Sequence, residues 1–350
     1  MKQAIILFST VLISFTVMGQ ATAIPDPAFE SKLISLGIDT NGMTGDILNS
    51  DAEGVLNLNV SNSGISDLTG IEAFVDVEIL DCQDNNLTEL TLINNLALSF
   101  LDCQNNAITS INLSGNDNLI SLACQNNALP TLDLSNNVAL SDLSCQNNQL
   151  TSLNLNSNSN LYQIICHDNT LTNITLPSSA NLLEIFWCYN NALESLDLTL
   201  APILATLRFE NNNLNFLDLR NSNNTNIHTM DARDNPNLEL ICVDDIDYST
   251  NASNWNKDTT AEYSETCLLS ISDMNIRSFS IIPNPVQDSF IITSENLQEI
   301  KNIELINSIG QVKQLENLLT HDVSSQTSGL YFLKVYWEDG SVHTQKFIKR

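Results

Sequence analysis

Residues 101–106 read LDCQNN, and near-copies stand at 80–85 (LDCQDN), 122–127 (LACQNN) and 143–148 (LSCQNN). The cysteine recurs at 82, 103, 124, 145 and 166, every 21 residues, and then at 188. Aligned on it, the chain gives LSFLDCQNNAI (98–108), LISLACQNNAL (119–129), LSDLSCQNNQL (140–150) and LYQIICHDNTL (161–171), a template of L-x-x-L-x-C-x-x-N-x-L. Val60 opens the series at the cysteine position, and Phe209 and Ala232 continue it after Cys188. Each turn also has a second half, such as ITSINLSGN (108–116) or LPTLDLSNN (129–137). One turn cannot bury its own apolar face. Stacked turns can, each adding a strand to a parallel sheet at about 4.8 Å spacing.

Strand alternation sends Leu101 and Cys103 inward and Asp102 and Gln104 outward. Six cysteines, Cys82, Cys103, Cys124, Cys145, Cys166 and Cys188, then form one file of small buried hydrophobes. Neighbours in such a file point the same way, with Cβ atoms farther apart than the roughly 3.8 Å of a disulfide. A straight file also cannot supply tetrahedral metal ligands, so no metal site is expected. A second column, Asn85, Asn106, Asn127, Asn148, Asn169, Asn191, Asn212 and Asn235, falls where each strand ends. There the amide can satisfy backbone groups of neighbouring turns.

The template resembles the leucine-rich repeat, with Cys where the third Leu normally stands, over roughly residues 55–243 and about nine turns. The file of thiols resembles the cysteine-ladder repeats of some internalins. Cys242 breaks the register: in LELICVDD, Leu238, Ile241 and Val243 take the inward positions and Cys242 faces out. Cys267 lies beyond the last repeat. A Cys242–Cys267 disulfide closing a C-terminal cap over 244–270 is the expectation, two free thiols the alternative.

Residues 1–23 read as a secretory signal: Lys2, the apolar run AIILFSTVLISFTVM, and ATA at 21–23 as a small-residue cleavage site, with a cut after Gly19 also possible. IPDPAFESKLISLG predicts a short helix within an N-terminal cap (24–54), with Phe29, Leu33 and Leu36 on one face. This cap resembles the one that precedes bacterial leucine-rich repeats, and ISDLTGIEAF (65–74) resembles their helical first turn. DTNGMTGD (39–46) hints at a calcium loop, but Met43 and Thr44 stand where Asp or Asn and Gly are wanted; an Asx-rich turn is the alternative.

After a linker at 271–278 the composition changes. Residues 271–350 hold seven of the thirteen basic residues, and short alternating strands (FSIIPNP, SFIITS, NIELINS, GLYFLKVYW, HTQKFIK) predict a small β-sandwich. IPNPVQDSFII, INSIGQVK, DVSSQTSGLYFLKV and the terminal KFIKR follow in one order. As a set, over 279–350, they resemble the type A sorting domain of the type IX secretion system of Bacteroidetes. The resemblance implies Sec export, passage through the outer membrane by the type IX machinery, removal of the tail, and attachment to the cell surface or release into the medium.

The net charge is −28, and no Lys or Arg stands between Lys32 and Arg208. Such a surface repels phosphate backbones and excludes nucleic acid as a partner. No HExxH, GxSxG or Gly-rich phosphate loop is present, and the four histidines (His167, His228, His321, His343) are scattered. Neither an enzyme nor a cofactor is expected. One region breaks the polar monotony. The outward residue before the cysteine column runs Asp81, Asp102, Ala123, Ser144, Ile165, Trp187, Arg208, Asp231; the one after it runs Gln83, Gln104, Gln125, Gln146, His167, Tyr189, Glu210, Arg233. Ile165, His167, Trp187, Tyr189, Arg208, Glu210 and Arg233 are thus set within some 15 Å of one another along the sheet. Aromatic and Arg clusters of this kind mark protein interfaces, and Trp and Tyr stack on sugar rings; ordinary surface substitution is the competing reading. The expected whole is a leucine-rich-repeat solenoid of α/β type with a helical N-cap, a disulfide C-cap and a C-terminal all-β sandwich. It binds a protein or glycan at the cell surface or in the medium, or, alternatively, has a structural coat role with no discrete ligand.

Overall fold

The structure is a computed structural model that describes residues 20–267, 279–294, 300–307, 311–315, 320–337 and 342–350. Most of the expected signal (1–19) and the expected linker (271–278) lie outside the described residues. The chain divides into two compact units, Met1–Thr266 and Cys267–Arg350.

The first unit is a β-solenoid. One three- or four-residue strand per turn, from Asn57–Asn59 to Trp255–Lys257, builds a parallel sheet of ten strands in which each strand pairs with those of adjacent turns. The strand centres Leu58, Leu80, Leu101, Leu122, Leu143, Ile164, Phe186, Leu207 and Met230 are all buried. Two residues further on, Val60, the six cysteines, Phe209 and Ala232 are fully enclosed. The period of two within each strand puts both columns on the core side, as the sequence pattern requires. All six cysteines are free thiols. Burial pushes every one of them up, Cys124 to about 12, so at neutral pH they are uncharged packing groups rather than nucleophiles.

Strand spacing leaves a residue in the left-handed region just after each strand: Asp84, Asn105, Asn126, Asn147, Asp168, Asn190, Asn211 and Asp234 have φ between 53° and 58°. Every one is Asn or Asp, the side chains that tolerate this conformation best. The next residue is the Asn column, and its amide stitches adjacent turns together. Asn106 Nδ2 donates to the carbonyls of Cys82 and Cys103 (3.1 Å each), while its Oδ1 accepts the Leu87 N–H at 3.0 Å.

The second half of each turn carries short strands and turns, and helix is confined to the two ends. The rear strands pair only in groups: Glu89–Thr91 with Ser110–Asn112, Ser152–Asn154 with Asn173–Thr175, and a four-stranded run from Ser195–Asp197 to Glu262–Ser264. Pro130 explains the first gap. It stands where Thr109 and Thr172 donate their N–H to the preceding turn (Thr88 and Thr151 carbonyls, 2.8 and 3.0 Å), and proline has no N–H to give. The second gap follows Leu176, where the turn between Cys166 and Cys188 takes one extra residue.

The ends are closed differently. At the N-terminal end, helix Pro27–Ser35 buries Phe29 and Leu33 against the first turn. Leu36, expected on the same face, is exposed because the helix ends at Ser35 and the chain turns away at Gly37. Asp26 caps the helix with one oxygen (Ala28 and Phe29 N–H) and receives Ser66 N–H, Ser66 O–H and Asp67 N–H on the other. Burial would raise this carboxyl, but the hydrogen bonds from Ser66, Phe29 and Ala28 outweigh it and hold it below the usual carboxylate range. In the 65–74 segment only Ile71–Ala73 is helical, as a single 3-10 turn. Residues 21–23, expected to leave with the signal, instead form a strand, Ala21–Ala23, antiparallel to Asp46–Leu48. The strand ends at residue 23, where the sequence places the signal boundary.

At the other end the sheets run past residue 243. Helix Ile246–Asn251 is followed by Trp255–Lys257, the last strand of the main sheet, and Glu262–Ser264, the last of the rear one. Trp255 donates its indole N–H to the Ile227 carbonyl (2.8 Å), and Tyr248 and Tyr263 meet it edge-on, so three aromatic rings seal the core. Cys242 and Cys267 are disulfide-bonded. Cys242 points away from the main core, as its register demands, yet it is fully buried rather than solvent-facing.

The second unit holds a three-stranded and a four-stranded antiparallel sheet. Phe279, Ile281, Phe290 and Ile292 from the first meet Ile303, Leu305, Tyr331, Leu333, Val335, Trp337 and Phe347 from the second in a single core.

Candidate ligand-binding face of the repeat sheet

The register places the expected residues as neighbours. Ile165 pairs with Trp187, Trp187 with Arg208, and Arg208 with Asp231, on consecutive strands and all on the outward face. In the next outward column His167 and Tyr189 stack with ring centres 4.1 Å apart and planes 9° from parallel. The Arg208 guanidinium lies over the Tyr189 ring at 4.2 Å and near Trp187 at 5.9 Å. His167, Tyr189 and Arg208 therefore form a continuous stack across three turns, with Trp187 beside it and Ile165 at its edge.

The stack is held from below. His167 Nδ1 meets an Asp168 carboxylate oxygen at 2.6 Å, and Arg208 is paired with the largely buried Glu210. Residues two apart on a strand share a face, so the R-F-E spacing of Arg208 and Glu210 brings opposite charges together. The same logic pairs Arg233 with Asp231, and Arg220 with Asp218 on the rear sheet. Arg233 therefore stands at the margin, turned to Asp231 rather than to the aromatic group. Asp231 is buried; that alone would raise its carboxyl, but the Arg233 hydrogen bonds and the charges of Arg233 and Arg208 bring it below the usual range. No cation in the patch is left free for an anionic ligand. The indole N–H of Trp187 is enclosed and has no partner. Two residues that the sequence pattern did not single out extend the patch: Ile185, in register with Gln163 and Thr206, and exposed Tyr162.

The N-terminal half of the same face is of another kind. Gln104 Nε2 donates to Gln83 Oε1 (3.1 Å) and Gln125 Nε2 to Gln104 Oε1 (2.7 Å), a ladder of amides running across the strands from turn to turn. Asp81 and Asp102 lie side by side, and burial, with Asp81 and Asp84 close by, raises the Asp102 carboxyl.

Two further ladders escaped the sequence reading. The left-handed Asn and Asp residues bond in series along the edge of the sheet, Asn126 to Asn105 at 2.7 Å and Asn105 to Asp84 at 2.9 Å. On the rear, fully buried Asn95, Asn116 and Asn158 and nearly buried Asn137 donate to carbonyls of the preceding turn; Asn158 reaches Leu134 and Asn137 at 3.1 and 2.8 Å. The signal was the closing Asn of ITSINLSGN and LPTLDLSNN.

In the 39–46 loop, Asp39 receives the Asn41 N–H, and the Asn41 side chain donates to Asp46 and Thr44, the pattern of an Asx-rich turn. Among the described residues no three His, Cys, Asp or Glu side chains are grouped to hold a metal ion. Among them, too, no helix is long and apolar enough to cross a membrane.

Residues 280–350 match the family model described as the secretion system C-terminal sorting domain. The second unit is a sorting domain. The chain is accordingly a type IX secretion cargo, destined for the cell surface or the extracellular medium. No curated protein matches the sequence. Among solved structures, the chain is similar to the functional domain of InlJ from Listeria monocytogenes, which includes a cysteine ladder, at 19% identity and a TM-score of 0.41, covering 95% of this chain and 99% of that one. It is also similar to internalin C2 from Listeria monocytogenes, at 20% identity and a TM-score of 0.41, covering 71% and 100%. The repeat unit joined to this sorting domain is a β-solenoid of leucine-rich-repeat-like fold.

Proposed function

We propose that the protein is an extracellular recognition scaffold that binds a protein or glycan ligand through the sheet face centred on Trp187. The observation that carries this reading is the His167–Tyr189–Arg208 stack with Trp187 beside it. Three rings, two of them aromatic side chains and one an imidazole, gather there with Arg208, whereas the N-terminal half of the face is mostly Asp, Gln and Ser with Ile79 and Phe100 exposed among them. The carboxylates of Asp168 and Glu210 order the stack beforehand, so binding loses little side-chain freedom. Paired cations and a strongly negative chain disfavour anionic ligands and favour a neutral sugar or a protein surface.

The test uses purified mature protein on a glycan array and on an array of secreted and surface proteins. Trp187→Ala is expected to abolish capture of whatever the parent protein binds, with the melting temperature nearly unchanged. Arg208→Ala is the less selective variant, because it also strips Glu210 of its partner. Capture that survives Trp187→Ala would refute this face, and no capture by the parent protein would favour a structural coat role.

A further inference from the structure

We infer that the secretory leader is removed between Gly19 and Gln20, and that Gln20 through Ile24 are a permanent part of the N-terminal cap. Two small-residue cleavage sites overlap in VMGQATAI (17–24): one ending at Gly19, the other at Ala23. By residue type the second is at least as good. The fold separates them.

A cut after Ala23 would remove the strand Ala21–Ala23, which pairs with Asp46–Leu48 through all three of its residues. The Gln20 carbonyl accepts the Asn49 N–H at 2.8 Å, and the Thr22 hydroxyl donates to Asn49 Oδ1 at 2.7 Å. Loss of residues 20–23 would strand these groups and leave Asp46–Leu48 as an open edge. It would also put a charged amine on Ile24, which is 1% exposed and whose N–H is bonded to the Gly45 carbonyl at 2.9 Å. The cap is shaped around the retained segment: a Cβ on Gly70 would lie 2.6 Å from an Ile24 side-chain carbon and 2.9 Å from the Ala23 carbonyl oxygen.

A cut after Gly19 spares every one of these contacts. Water adds across the Gly19–Gln20 amide; the carbonyl carbon keeps the hydroxyl as a carboxylate and the new amine stays on Gln20, which is exposed. A docked strand offers no extended segment to a peptidase, so cleavage precedes closure of the cap.

The experiment is mass spectrometry of the amino-terminal peptide from protein secreted by its native host. The expected peptide begins at Gln20. One beginning at Ile24, or at any other residue, overturns the inference. Ala23 is exposed, so Ala23→Leu is expected to leave processing unchanged, whereas Gly19→Leu should accumulate precursor. Accumulation with Ala23→Leu instead would place the cut downstream. Protein produced to begin at Ile24 should melt well below protein beginning at Gln20; equal melting would contradict a structural role for the strand.

Discussion

Replacing Asn235 with alanine is expected to destabilise the repeat unit by about 3 kcal/mol, through buried backbone groups that lose their partners. Asn235 is fully buried. Its oxygen accepts the Leu214 N–H at 3.0 Å, and its amide donates to the Phe209 and Ala232 carbonyls at 3.1 Å each and to Arg233 at 3.2 Å. Alanine removes all of this and leaves one N–H and three carbonyls facing a space of about one water, so a trapped water would recover only part of the loss. Asn235→Asp keeps the acceptor but turns the donating end into a buried charge facing carbonyls, so it should be at least as damaging at neutral pH. Asn126→Ala is the contrast. Asn126 is exposed and bonds sideways to Asn105, so its loss costs chiefly the left-handed preference, about 1–2 kcal/mol. Denaturant melts of the three variants test the ranking. Equal losses for Asn235→Ala and Asn126→Ala would mean that the inner ladder does not hold the turns together.

Phe186→Ala should cost about 3–5 kcal/mol and split the array's cooperativity. Phe186 lies directly behind the Trp187 patch, fully buried, in register with Ile164 and Leu207, and edge-on to Phe209 at 6.0 Å. A solenoid turn contacts only its neighbours, so a cavity there weakens the two interfaces on which the N- and C-terminal halves depend. Hydrogen exchange should accelerate first at 164–165, 186–188 and 207–209, ahead of the turns around Cys103. Phe186→Leu, which refills much of the volume, should recover most of the loss. Uniform acceleration along the whole unit would contradict nearest-neighbour coupling.

The main sheet was legible because its signal is redundant: Leu at the strand centre, Cys or its substitute two residues on, and Asn three beyond, repeated at one spacing. The outward columns followed from that register, so the neighbours Ile165, Trp187 and Arg208 could be assigned without coordinates. What the residues do within the patch was less visible. Arg208 and Arg233 entered the patch as part of an interface cluster with no ion-pair partner assigned, although the alternation that placed them also placed Glu210 and Asp231 two residues away on the same side. The rear face was hidden for another reason. It has no marker like the cysteine column, and whether its strands pair depends on single residues such as Pro130. At the amino end, composition alone could not tell a cleavage motif from a strand of small residues, since Ala-Thr-Ala serves both; only pairing with Asp46–Leu48 separates them.

The central claim is that one file of unpaired thiols runs inside a stacked coil whose far end is closed by a single disulfide. Titration with a thiol reagent tests it most directly. Folded protein should show no reactive thiol, because all six free cysteines are fully enclosed. Denatured but unreduced protein should show six, with the remaining two appearing only after reduction. A count near zero under denaturing, non-reducing conditions would mean that the file is cross-linked, and the stacked coil would be wrong.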